Sequence, residues 1–233
     1  MKLAAFDLEI YKSIPEGETN WHKYEPLGVS CCGFAYEDET VIFGHEDRMN
    51  FREVKAVFDF MKKLREDGYT IVTWNGAAFD FKVLAQEGFF NRAINANMTH
   101  VDLMLIIVAL RGHYLGLVKA AEGMGVAPKL SEVTFKDGSR GEIDGAKVPD
   151  LWKAGERTAV KEYLEHDVKA TLELAQVIRD RQEVCWLSGR GNYQRLKIDE
   201  LYLVHECLTV KRQIPQWLKN PKSPRNSIAW TRS

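Results

Sequence analysis

Four carboxylates stand where a folding chain has little reason to put them. In "MKLAAFDLEI", Asp7 and Glu9 interrupt an apolar strand pattern over residues 2–10. Side chains two apart on a strand leave the same face, so the two acids point together and repel. In "TWNGAAFDFKVL" a strand pattern stops at Asn75-Gly76, and Asp80 falls in the first turn of a helix. A first-turn aspartate can simply complement the helix dipole. Further on, Val160, Tyr163, Leu164, Asp167, Thr171, Leu174 and Ile178 recur at i, i+3 and i+4 steps. Asp167 lies in the middle of that apolar stripe, one turn beyond Tyr163 and next to it on the helix surface. A strand, a strand-to-helix turn and a long helix can bring such acids to one point. Carboxylate oxygens suit Mg²⁺ or Mn²⁺, whereas zinc favours Cys and His. Two such ions about 3.5–4 Å apart can hold the attacking and leaving oxygens of a phosphodiester during in-line displacement. They would also cancel the repulsion between Asp7 and Glu9.

The elements that must position these acids follow from periodicity and turn residues. Strands are predicted at 2–10, 28–36, 40–44 and 69–74, with a short fifth at 98–101. Residues 11–26 read as a polar loop. Phe51, Val54, Phe58, Met61 and Leu64 predict an amphipathic helix over 50–66 ending near Gly68. A second helix is predicted from Phe79 to Gly88, and others at 103–111, 116–123 and 156–183. The Gly- and charge-rich stretch 126–147 reads as a long mobile loop. Beyond it come a hairpin turning at 188–191, a helix at 198–210 and a Pro-rich loose tail or strap. Three strands in meander order followed by alternating helices and strands predict an α/β fold of ribonuclease-H-like type. It has three layers, a mixed sheet of about five strands with helices on both faces. Residues 1–183 are expected to form the core and 184–233 to pack on it or trail it, without being an independent domain.

The segments "FDLEI", "NGAAFD" and "YLEHD" resemble, in order, the three exonuclease motifs of the DEDD family of 3′–5′ exonucleases, the DnaQ-like proofreading superfamily. Each motif alone is weak; three in order on the expected elements are specific. The third has Tyr163 four residues before Asp167, which resembles the tyrosine subgroup; a histidine subgroup would need His where Glu162 stands. His166 is turned about 100° from Asp167 by helix geometry and reads as a surface or supporting residue. The resemblance implies that Asp7, Glu9 and Asp167 hold the metal that activates water. Asp7 would bridge to a second metal near the leaving 3′ oxygen, with Asp80 acting on it directly or through water. Tyr163 would orient the attacking water, since a phenol with an ordinary pKa of about 10 is a poor base at neutral pH. The implied reaction is stepwise release of nucleoside 5′-monophosphates from the 3′ end of single-stranded DNA or frayed ends. RNA trimming is the close alternative, and a non-catalytic nucleic-acid-binding scaffold is the alternative of another class. A polymerase or another replication or repair protein is the expected kind of protein partner.

Around these acids, Asn75 is a candidate substrate contact or a plain Asn-Gly turn residue. Phe79 and Leu8 flank the carboxylates and are candidates for contacting terminal bases, with core packing the stronger expectation for Leu8. Asp102 is expected to cap the helix at 103–111 rather than to act as a fifth acid. Lys119, Lys129, Lys136, Arg140 and Lys147 alternate with acids and read as a solvated mixed-charge loop before a phosphate path. Trp152, Trp186 and Tyr193 are expected to pack the C-terminal hairpin onto the core.

Composition sets the outer limits. Of 233 residues, 45% are hydrophobic and 28% charged, and the net charge is −1, which argues against tight non-specific hold on polyanions. Cys31, Cys32, Cys185 and Cys207 form no CxxC pair and are expected as buried thiols in a reducing compartment. No signal-peptide core or membrane-length apolar run is legible, so a cytoplasmic location without membrane association is expected.

Overall fold

Period-two alternation builds the central strand of the protein. In β1 (Lys2–Ile10), Ala4, Phe6, Leu8 and Ile10 pack into one apolar cluster while Leu3 and Ala5 pack into another on the opposite face. The computed structural model describes all residues except 16, 19, 46, 128, 129 and 233. β1 pairs antiparallel with β2 (Val29–Tyr36), which pairs antiparallel with β3 (Glu39–Phe43). On its other side β1 runs parallel to β4 (Tyr69–Thr73), and β4 parallel to β5 (Val101–Asp102). The mixed sheet is therefore ordered β3-β2-β1-β4-β5, with β1 in the middle. The β1–β2 register slips between Glu9 and Ile10. Such a bulge re-aims the side chains beside it.

Helices cover both faces, giving the expected three-layer α/β ribonuclease-H-like fold. α1 (Phe51–Glu66) starts with an Asn50–Glu53 capping box and buries Val54, Val57, Phe58, Met61 and Leu64. Phe51 does not join that stripe; it is exposed and stacks on Phe89 with ring centres 4.5 Å apart. α2 (Asp80–Leu84) and a π-turn (Ala85–Phe89) follow β4 on the same face. Gly88, at φ +90°, breaks the helix where expected, but α3 (Phe90–Met98) then resumes, which the sequence reading did not include. The other face carries α4 (Leu103–Arg111), α5 (Leu117–Met124), α6 (Val148–Lys153) and the long α7 (Arg157–Arg181).

Several expectations give way to tertiary context. The loop 126–147 contains a small hairpin, β6 (Glu132–Thr134) with β7 (Arg140–Glu142). Only Val133 of those two strands is buried, so alternation could not reveal them. α6 fills part of the gap between the expected loop and the long helix, with Pro149 in its first turn. The helix expected at 198–210 shrinks to α8 (Val204–Cys207). Leu203 is held extended by a bridge to Val101, and the Val204 amide bonds the His100 carbonyl, so pairing overrides the helical pattern. β8 (Glu183–Leu187) and β9 (Tyr193–Lys197) form the expected hairpin. Trp186 is buried in it, but Tyr193 is exposed, and Trp152 packs with α6 against β1 and α7 instead. The tail is a strap containing α9 (Pro224–Ser227). Among the described residues, no helix is long and apolar enough to cross a membrane.

Candidate active site

The odd face of β1 is where the acids lie. Asp7 and Glu9 continue the line of Leu3 and Ala5, on the face covered by α7. Directly across from Asp7 in β2 is Gly33. A Cβ there would meet Leu164 Cγ at 3.0 Å and Val168 Cγ1 at 3.3 Å, so the missing side chain lets α7 lie against the sheet. Tyr163 and Asp167 neighbour those two residues on α7 and are buried, at 4% and 1% exposure. Glu9 is 7% exposed. His166 is half-buried on the adjoining side of the helix.

Asp80 enters from the strand-to-helix turn. Its Oδ1 accepts from the Leu8 amide at 3.2 Å, and the same amide lies 3.0 Å from Asp7 Oδ1. Burial raises the Asp80 carboxyl well above the usual range, reinforced by the Asp7 charge and by a carboxyl–carboxyl hydrogen bond with Asp7. The structure thus joins Asp7 to Asp80 through one amide and sets Glu9, Tyr163 and Asp167 on the α7 face of the same strand. The Leu8 side chain is buried on the opposite face, and its contribution here is that amide.

The turn that delivers Asp80 is held by a residue whose full part the sequence concealed. Asp102 caps α4 by accepting from the Leu105 amide at 3.0 Å. It also accepts from the amides of Asn75 (3.0 Å) and Ala77 (2.9 Å). Burial raises its pKa, against the pull of those amides. Both oxygens are engaged by backbone, which suits a clamp and not a fifth ligand. Asn75 takes φ +70°, and a Cβ on Gly76 would fall 2.5 Å from Thr73 Oγ1. Thr73 Oγ1 bonds the Gly76 amide and lies 3.0 Å from His100 Nε2. Only acceptor geometry in three dimensions exposes this network; no spacing in the sequence does.

Asn75 and Phe79 open onto a cleft of about 660 Å³, walled also by Trp21, Tyr114 and Trp230. Trp21 stands edge-on to Phe79 at 5.1 Å, and Lys82 lies over the Trp21 ring while bonding Glu25 at 2.6 Å. The Trp230 indole donates to the Ala77 carbonyl at 2.9 Å, so the C-terminal strap forms one wall and grips the Asp80 turn. Sequence reasoning missed Trp21 and Trp230 because both lie in segments without periodicity. The mixed-charge reading of 126–147 is met at Arg140, paired with Glu132 at 3.0 Å, and Lys147, paired with Glu142 at 3.2 Å. Lys136 bonds the Ala154 carbonyl and lies 3.7 Å from Glu156, whereas Lys119 is exposed on α5 and Lys129 lies outside the described residues.

The donor set fits hard divalent cations. The oxygens on offer are carboxylates, and burial pushes the neighbouring Cys31 and Cys32 thiols well up, which keeps them neutral. Among the described residues, no three His, Cys, Asp or Glu side chains stand together so that they could hold a metal ion as placed. The fit therefore rests on donor chemistry and on the mutual repulsion of Asp7 and Asp80, which a cation relieves.

No curated protein matches the chain. Among solved structures, the family B DNA polymerase of the hyperthermophilic archaeon Pyrobaculum calidifontis is similar, with a TM-score of 0.55 and 23% identity. The similarity covers 76% of this chain and 24% of that polymerase, so it speaks for a shared fold over part of a much longer protein. A model of the RNase_H superfamily matches residues 18–179. That span holds four of the five sheet strands and the turn and helix that carry Asp80, Tyr163 and Asp167, and the chain belongs to the RNase_H superfamily.

Proposed function

We propose that the protein is a metal-dependent 3′–5′ exonuclease of the tyrosine DEDD type, acting first on single-stranded DNA or frayed ends. The observation that carries this reading is the Asp7–Asp80 pair, two carboxyls on one amide with the Asp80 proton affinity raised. Such a pair carries an electrostatic cost that a cation would relieve, and α7, which bears Tyr163 and Asp167, packs against the strand that carries Asp7. Divalent cations held by Asp7, Glu9, Asp80 and Asp167 would acidify the attacking water and neutralise charge on the phosphodiester. The Tyr163 hydroxyl orients that water, while Asn75 and Phe79 contact the terminal nucleotide from the cleft. The Leu8 amide fixes the two carboxyls before substrate arrives. Products are nucleoside 5′-monophosphates. Likeness of fold to part of a DNA polymerase supports DNA as the first polymer to test, and a polymerase or repair protein as the kind of partner. Residues 1–183 would form the catalytic core, with 184–233 packed on it.

The test is incubation of 3′-labelled and 5′-labelled single-stranded DNA and RNA with Mg²⁺ or Mn²⁺, beside Asp7→Ala. A ladder shrinking from the 3′ end in the wild type alone supports the proposal. No shortening of either polymer, or equal cutting by Asp7→Ala, rejects it.

A further inference from the structure

A second groove of about 250 Å³ opens next to the cleft, and Tyr114 lines both. Its other walls include His113, Lys119, Trp186 and Trp217. The Trp217 ring lies nearly parallel to His113, 6.4 Å between centres at 30°, and Trp186 stands edge-on to the same imidazole at 5.8 Å. Trp217 is 67% exposed, an unusual state for so large a ring. The chain around it is firmly seated. Gln213 and Lys222 donate to the Leu110 and Gly112 carbonyls at 2.6 and 2.7 Å. Ile214, Leu218 and Pro221 close so tightly over Gly112 that a Cβ there would collide with them. A tryptophan so exposed on an anchored strap needs a reason.

Chemistry narrows what lies over it. Among the described residues, neither Asp nor Glu lines the cleft or the groove, whereas Lys82 lines the first and Lys119 the second. That is a selective arrangement in a chain with 33 acidic residues. The exposed Tyr114 and Trp217 rings, the half-buried Trp230, Lys119 beside them and no lining carboxylate match the needs of a nucleic-acid strand, whose bases stack and whose phosphates avoid acids. We propose that Trp230, Tyr114 and the Trp217–His113 pair form a stacking track for nucleotides on the 5′ side of the bond to be cut. Trp217 and Trp230 both lie beyond residue 179, so the strap outside the superfamily match would supply much of the track. This rests on the exonuclease reading for the direction of the strand, not for the binding itself.

The test uses the full chain and fluorescent oligothymidylates, one a dinucleotide and one of about 12 nucleotides, within the usual single-strand site sizes. Binding is measured in EDTA by anisotropy and by tryptophan quenching, and cleavage is measured separately with Mn²⁺. Trp217→Ala should weaken binding of the longer probe about tenfold, with Trp217→Phe close to wild type, while dinucleotide cleavage stays unchanged. Because Trp217 is exposed, its replacement leaves the fold intact. Equal affinity of wild type and Trp217→Ala for the longer probe overturns the track, even if both degrade it. So does a wild type that binds no oligonucleotide, which would leave the surface to a protein partner. A longer probe that is held through Trp217 but never shortened upholds the track and sinks the exonuclease reading instead.

Discussion

Asp7 and Asp80 share one hydrogen-bond donor: the Leu8 amide lies 3.0 Å from Asp7 Oδ1 and 3.2 Å from Asp80 Oδ1. Burial first, and then the Asp7 charge, raises the Asp80 pKa. The folded chain therefore keeps a proton that the unfolded chain releases above the ordinary aspartate value. The stability linked to it is present at low pH and lost as pH rises through the raised value. Asp80→Asn removes that loss, so the metal-free variant should melt higher than wild type at pH 8 by about 2–4 °C, the response to about 1 kcal/mol. Mn²⁺ should raise the wild-type melting temperature more at pH 8 than at pH 5 and raise that of the variant less. Identical melting curves for both proteins, with and without Mn²⁺, would contradict this.

Acid should act on the turn through His100. Burial lowers this imidazole to about 3 from an ordinary 6.5, so it stays neutral while bonded to Thr73 and the Asn97 carbonyl. Here the unfolded chain binds the proton first, and the linked stability is full above pH 6.5 and lost as pH falls toward 3. Its slope is about 1.4 kcal/mol per pH unit across that window. His100→Gln should flatten the difference in urea-derived stability between pH 6.5 and pH 4. Parallel pH curves for the two proteins would show that His100 does not carry the effect.

Tyr163→Phe keeps the buried ring and removes only the hydroxyl. If that hydroxyl orients the attacking water, the rate constant for cleavage should fall about tenfold or more, while stability falls by only about 1 kcal/mol. A variant as fast as wild type would remove Tyr163 from the chemistry.

Gly33→Ala tests the closeness of α7 to the sheet. The added methyl would sit 3.0 Å from Leu164 Cγ, so the helix must shift or strain at a cost of about 1–3 kcal/mol. Cleavage should drop although no acid is touched. Adding Leu164→Ala should restore more activity than additivity allows, because the two sites are in contact. Additive losses would place the fault elsewhere.

How much of this was legible in the sequence depends on whether a residue's role is local. β1 could be read because alternation sorts Phe6 and Leu8 from Leu3 and Ala5 onto two faces. Asp167 stood out because one charged residue in an apolar helical stripe breaks a pattern that burial imposes. The short helix at 204–207 was overread because the bridge from Leu203 to Val101 joins residues far apart in the chain. Asp102 was read as a cap, its local role, whereas its bonds to Asn75 and Ala77 cross from β5 to another turn. Trp217 and Trp230 lay in a Pro-rich stretch that lacks periodicity, so only the fold shows what they face.

The seating of β8 on α5 has a practical consequence for anyone shortening the protein. A Cβ on Gly123 would lie 2.0 Å from the Cys185 carbonyl oxygen, so the hairpin backbone rests directly on the helix. Cutting the chain after α7 would bare Ala120, Ala121 and Met124 and release the Ala77 carbonyl from Trp230. A fragment ending at residue 183 is expected to aggregate on expression rather than emerge as a smaller working unit.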